Sequence, residues 1–285
     1  MIRLCAVVFL FAISAFAQQQ SRSPHDEELF ALARTNLTAF AHEVTKNAPT
    51  ELAQAQAIVK WLADQLEWKA TDYKQRTVQE IIDRGGGNCN ELAMVALAAM
   101  KELHLKMRRV HEINIHTNTP RRGETAHAMV KEKGNSFSVF GRRHNDHVWV
   151  EVYDSTARDW FPADPSIGVV GMKKWMPARF GFGKRFSLNP ISEDMVAPFA
   201  MFAADSTGKF TISRTQHYAI EEFDKLYNGR LHSLSDWKQW TALIELLDDK
   251  VGGAFAGKIN LHECEAQIDL LAETYEQLRA AVQSK

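Results

Sequence analysis

Apolar positions recur at helical spacing through the first hundred residues. Between 24 and 46, Leu29, Leu32, Ala33, Leu37, Phe40 and Val44 share one helical face, which predicts a helix over that stretch. Pro49 and Thr50 open a second helical pattern to about Trp68, with Leu52, Ala55, Ile58, Val59, Leu62 and Leu66 as its stripe. Core packing accounts for such a stripe. A shorter helix is expected near 77–84, ended by Gly85-Gly86-Gly87. Another helix then begins. Asn88 suits the N-cap, and Glu91 stands at the partner position of a capping box. Leu92, Val95, Ala96, Ala99, Met100 and Leu103 form its buried face, and Cys89 falls at its first helical position.

From about residue 107 the period changes to two. Met107–His116 and a stretch near 125–131 are expected as strands. His147–Tyr153 alternates most clearly: Val148, Val150 and Val152 point one way, and His147, Trp149, Glu151 and Tyr153 the other. Asp154–Arg158 is a turn region, after which Trp160–Asp164 returns as an antiparallel partner. Phe180–Pro190 is Gly-rich and basic, the composition of a linker. Beyond it the pattern is mostly helical, at about 215–228, 233–250 and 260–283. There is no internal repeat.

Residues 1–17 change this picture. Arg3 supplies a positive start, Leu4–Phe16 an apolar run, and Ala15-Phe16-Ala17 a small-residue cleavage site. This pattern is that of a secretory signal peptide, too short for a comfortable membrane span. Secretion or periplasmic export is therefore expected, with no integral membrane segment in the mature chain. The 285 residues are 45% hydrophobic and 24% charged, an ordinary globular balance that excludes disorder and a disulfide-dense miniprotein. A formal net charge of −1 gives no whole-chain attraction to nucleic acid. Two cysteines remain after the leader, Cys89 and Cys264. They could pair in a structural disulfide, or Cys89 could be a free thiol with chemistry of its own.

The surroundings of Cys89 favour the second reading. A helix N-terminus offers unpaired N–H groups and a dipole that favour a thiolate. The same N–H groups can hold an oxyanion, and the three glycines let another backbone approach. A small buried core cysteine is the plainer alternative. His147 starts an amphipathic strand, a rigid element suited to a general base. If 147–153 and 160–164 pair antiparallel, His147 and Asp164 are the ends far from the turn, and so they meet. A carboxylate there takes the ring N–H, fixes the tautomer and stabilises the imidazolium.

Gly-Gly-Asn-Cys-Asn-Glu-Leu-Ala at 86–93, His-Val-Trp-Val-Glu-Val-Tyr at 147–153 and Trp-Phe-Pro-Ala-Asp-Pro-Ser at 160–166 resemble the three motifs of the transglutaminase-like superfamily. The resemblance covers roughly 50–180. It implies a papain-like Cys-His-Asp core with Cys89 as nucleophile, His147 as base and acid, and Asp164 as the orienting group. It also implies a peptide or protein substrate, and exported members of this kind are often hydrolases. The signature around the cysteine of papain itself is absent. The Cys-to-His separation of 58 leaves room for an insertion around 116–124 or 131–146. His127 is a second candidate base, without the Trp, Glu and following Asp-Pro that mark His147. Residues 190–285 lie outside the resemblance.

The fold expected is therefore α+β. A papain-like, transglutaminase-like core packs its nucleophile helix on an antiparallel sheet, followed by a helical C-terminal extension. Its organisation is a signal peptide at 1–17, a catalytic domain with N-terminal helices at 18–190 and the extension at 191–285. The expected activity is that of a secreted thiol enzyme acting on amide bonds through an acyl-enzyme, a cysteine peptidase or related hydrolase. A protein-glutamine transglutaminase or deamidase, and a non-catalytic binding module on the same fold, are the alternatives. Trp68 and Tyr73 are candidates for a second oxyanion donor. No cofactor is called for. A metal site from His144, His147 and Cys89 lacks the usual ligand spacings, and His262 and Cys264 fit surface or packing roles. Asn36-Leu37-Thr38 matches the glycosylation pattern but falls on an expected helix.

Overall fold

The structure is a computed structural model. It describes residues 22–69, 72, 74–116, 132, 141, 143–182, 186–187 and 194–284. The leader expected at 1–17, the strand expected near 125–131, His127 and Tyr73 lie outside the described residues, as do residues 183–185 and 188–190 of the expected linker. The architecture is α+β: helices pack on both faces of a mainly antiparallel sheet.

The N-terminal helical stretch is broken once. In place of one helix over 24–46 there are two, α1 (Pro24–Thr35) and α2 (Leu37–Thr45). Asn36 makes the break, because its side-chain oxygen accepts from the Ala39 N–H at 3.0 Å and caps the second helix. The asparagine of the glycosylation pattern is thus an N-cap. α3 (Glu51–Gln65) is capped by Thr50, and the short α4 (Val78–Asp83) by a Thr77/Glu80 capping box. Between them runs a two-residue strand β1 (Glu67–Trp68), parallel to β2 (Gly86–Gly87). α5 (Cys89–Glu102) follows with the expected Asn88/Glu91 capping box.

The main sheet contains β3 (Met107–His116), β4 (His144–Asp154), β5 (Asp159–Asp164), β6 (Val169–Val170), β7 (Phe186–Ser187), β8 (Asp194–Ala204) and β9 (Phe210–Ser213). Its order is β6-β5-β4-β3-β8-β7, with β9 also paired to β8. All neighbours are antiparallel. Val148, Val150 and Val152 join one buried cluster with α1–α5, including Phe40, Ile58, Leu62 and Val95. Trp149 belongs to a second cluster, formed with the C-terminal elements.

Two elements of the second half were not read from the pattern. The extension after 190 is not wholly helical, because it opens with β8, which pairs with β3 near the middle of the sheet. Met195–Ala204 reads as one apolar run rather than an alternation, the pattern of a strand covered on both faces. Pro198 sits opposite Asn114 where the register shifts, the place a strand tolerates proline. A helix not read from the pattern, α6 (Met172–Phe180), lies before the linker segment. The three C-terminal helical stretches are present. They are a π-helical turn (His217–Glu222) leading into α7 (Phe223–Leu226), then α8 (Ser235–Phe255), then α9 (Glu265–Gln283).

These elements cover the face of β4 that carries Trp149 and Glu151. The Trp149 ring meets Trp175 of α6 at 4.7 Å and Tyr218 at 5.4 Å. Glu151, fully buried, accepts from Arg108 at 2.6 Å, Arg214 at 2.8 Å and Tyr218 Oη at 2.6 Å. The polar half of the alternation is thus a buried, hydrogen-bonded layer.

Candidate active site

Cys89 is delivered by a tight backbone crossing. Gly86 has φ of 142°, and a Cβ there would stand 2.0 Å from the Glu67 carbonyl oxygen. Only glycine permits β1 to lie against β2 so closely. Gly85, at φ 72°, makes the turn into this crossing. The chain then enters α5 through the capping box, with Asn88 Oδ1 accepting from Glu91 N and Glu91 Oε2 accepting from Asn88 N, both at 3.0 Å.

The Glu91 carboxylate is buried, and its charge is met by Arg76 at 2.8 Å and Arg84 at 3.4 Å. Arg76 also binds Asp72. This clamp fixes the loop that precedes the thiol. Glu91 was legible as a capping residue, whereas its arginine partners, separated by 15 and 7 positions, carried no sequence signal. Cys89 is half-buried and is a free thiol, as is the buried Cys264. The disulfide alternative is therefore corrected: the two are not bonded.

His147 and Asp164 meet as the strand pairing required. Pairing of Val150 with Ala163 and of Asp154 with Asp159 fixes the register, and it brings His147 Nε2 to 2.9 Å from Asp164 Oδ2. The imidazole is 1% exposed and the carboxylate 0%. Burial alone would push the imidazolium down. The Asp164 charge and hydrogen bond, with a hydrogen bond and charge from Cys89, overturn this and raise its pKa to about 10. Burial acts upward on Asp164, but His147, then Arg179 and the Ser166 N–H, hold its pKa below the usual carboxylate value. Asp164 is therefore the acceptor and Nε2 the donor. The Cys89 thiol, at the start of α5, is among the groups that raise the pKa of the same ring. All three expected residues are thus brought into one group.

A second buried layer supports Asp164. Arg179, from α6, has Nη1 3.6 Å from Asp164 Oδ2 and donates through Nη2 to Glu112 of β3. Glu112 also accepts from Trp149 Nε1 at 2.8 Å and Asn114 Nδ2 at 3.1 Å. Neither Glu112 nor Arg179 was singled out in the sequence. The one available signal was a carboxylate within an otherwise pairing-competent strand.

The remaining candidates fall elsewhere. Trp68, on β1 beside Gly87, has a buried indole N–H with no hydrogen-bond partner. His144 is buried with its ring centroid 6.2 Å from that of His262. Among the described residues no group of three His, Cys, Asp or Glu side chains is arranged to hold a metal ion. No helix among them is long and apolar enough to cross a membrane.

Residues 38–165 match the transglutaminase-like superfamily. The matched span contains Cys89, His147 and Asp164, and ends before Arg179. Comparison with curated protein sequences gives no match. Among solved structures, the chain is similar to a candidate cysteine protease from Cytophaga hutchinsonii, at 11% identity and a TM-score of 0.33, covering 62% of this chain and 47% of that one. A candidate protease from Parabacteroides distasonis aligns at 10% identity and a TM-score of 0.33, over 63% of this chain and 28% of that one. A Rad4–Rad23 complex bound to a UV lesion aligns at 13% identity and a TM-score of 0.33, over 86% of this chain and 54% of that one. The chain thus spans under half of each of the first two.

Proposed function

We propose that this chain, a member of the transglutaminase-like superfamily through residues 38–165, is a thiol-dependent hydrolase of peptide amide bonds. Cys89 is its nucleophile, His147 its proton carrier and Asp164 the orienting group. The observation that carries this reading is the single buried imidazole held at 2.9 Å by a buried carboxylate, with the Cys89 thiol among the groups that act on its charge. A binding module has no need of that chain of three groups.

The chemistry follows from the arrangement. The Cys89 thiol passes its proton to His147 and the sulfur attacks the amide carbon; a C–S bond forms and the carbonyl electron pair moves to oxygen. The Cys89 backbone N–H, at the start of α5, stabilises the oxyanion. The unpartnered Trp68 indole N–H is the second donor in this reading, and Tyr73 is not needed for it. His147 gives its proton to the departing nitrogen, the C–N bond breaks, and a thioester remains. Water then attacks the thioester with its proton passing to His147, the C–S bond breaks to leave a carboxylic acid, and the proton returns from His147 to the Cys89 sulfur. The leader pattern at 1–17 supports an exported enzyme.

The test is incubation with a tryptic digest of a denatured protein, followed by mass spectrometry. New termini and an acyl adduct on Cys89 are expected, both absent in Cys89→Ala. Release that persists in Cys89→Ala, or no release and no adduct, would overturn the reading.

A further inference from the structure

Among the described residues, the arginines around the site are paired, with one exception. Arg76 and Arg84 meet Glu91, Arg108 and Arg214 meet Glu151, and Arg179 meets Glu112 and Asp164. Arg109 on β3 is also half-buried, yet no carboxylate among the described residues is within ion-pair distance of it. Its side-chain hydrogen bond is a 3.4 Å one from Nη1 to Asn90 Oδ1. Desolvation without a counter-ion pushes its pKa down. A buried charge is ordinarily paired, because an unpaired one costs free energy. An Arg left in this state is poised for an anion that arrives from outside.

The position gives that anion a role. Asn90 is the residue after Cys89, so the guanidinium is anchored one residue from the thiol. Next on the same face of β3 is His111, stacked on Phe210 at 3.8 Å and edge-on to Phe255 at 5.5 Å. Burial, with the charges of Arg109 and His147, lowers the His111 pKa to about 4. At neutral pH it is an uncharged ring against Phe210 and Phe255, and Arg109 is the positive charge next to it on that face of β3. The planar guanidinium fork, held at one corner by Asn90, leaves further N–H groups for a carboxylate.

We propose that Arg109, anchored on Asn90 next to Cys89, is an anion-binding residue and selects substrates carrying a carboxylate next to the amide under attack. This rests on the reading of Cys89 as nucleophile, and its test separates the two. Cys89 is alkylated with iodoacetate and with iodoacetamide, which differ in charge. The iodoacetate-to-iodoacetamide rate ratio is expected to fall about tenfold in Arg109→Gln and to recover in Arg109→Lys. The exposed Arg158→Gln is the control. An unchanged ratio in Arg109→Gln would overturn the proposal.

Glutarate titrated calorimetrically into Cys89→Ser protein, with and without Arg109→Gln, reads the anion site even if the thiol is inert. Binding lost with the arginine supports the proposal; equal binding, or none in either protein, overturns it. N-acetylglutamate amide and N-acetylalanylglycine then compete with glutarate. Competition by one assigns the carboxylate to a side chain or to a chain terminus, and competition by neither overturns the proposal.

Discussion

The two faces of β4 are both buried, but by different physics. Val148, Val150 and Val152 lie in an apolar layer with α3 and α5. Trp149 and Glu151 lie with His147, Asp164, Glu112 and Arg179 among buried polar and charged groups. The apolar layer is non-directional and places α5, the helix that starts at Cys89, by packing. The charged layer is directional and aims one imidazole. Stability should therefore be tunable on the first face with the chemistry kept, while on the second any loss of a partner reaches the site.

The strongest way to break this comparison is to alter the aim alone. His147→Gln should lower turnover about a hundred to ten-thousand-fold with the fold retained by circular dichroism. The apolar counterpart, Leu62→Ala, should cost about 2–5 kcal/mol in denaturant unfolding, with turnover of the folded protein near that of the wild type. A comparable loss of turnover in Leu62→Ala would erase the distinction.

Arg179→Met tests the middle of the charged layer. Removing one partner of a buried pair leaves Glu112 uncompensated, at about 3–5 kcal/mol. Turnover should fall as well, with kcat affected more than KM, because Arg179 positions Asp164 rather than touching substrate. Arg179→Lys should restore part of kcat. If stability drops while kcat of the folded fraction is unchanged, Arg179 is structural only.

Titration sharpens the same point with a sign. The folded pKa of His147 is raised from 6.5 to about 10. Its contribution to stability is therefore complete below 6.5 and lost as pH rises through about 10. Asp164 is shifted the other way, so its contribution holds above its unfolded value of 3.8 and fades as pH falls. The unfolding midpoint of the wild type should decline from pH 7 to pH 10 more steeply than that of His147→Gln. Smallest in effect, Tyr218→Phe removes one hydrogen bond to Glu151 and should cost about 1 kcal/mol, because Arg108 and Arg214 remain.

What was legible in the sequence divides along similar lines. The Asn88/Glu91 cap, the glycines before Cys89 and the alternation over 147–153 are local, and each led to the right element. The meeting of His147 and Asp164 followed from one hairpin, seventeen positions apart. Glu112 and Arg179 are 67 positions apart and lie on elements that become neighbours only when the whole sheet is assembled. β8 was hidden because both its faces are buried, which removes the alternation that marks a strand. The break at Asn36 was hidden because the apolar stripe continues across it, and only the side-chain cap shows the turn.

The central claim is that His147 activates the Cys89 thiol. The most direct measurement is the rate of iodoacetamide labelling of Cys89 by mass spectrometry across pH 5–9, wild type beside His147→Ala, with Cys264 as internal reference. The account predicts rapid labelling of Cys89 at pH 6, far ahead of Cys264, and a marked slowing in the variant. Labelling of Cys89 that emerges only above about pH 8.5, the value of a free thiol, and is the same in both proteins would contradict it.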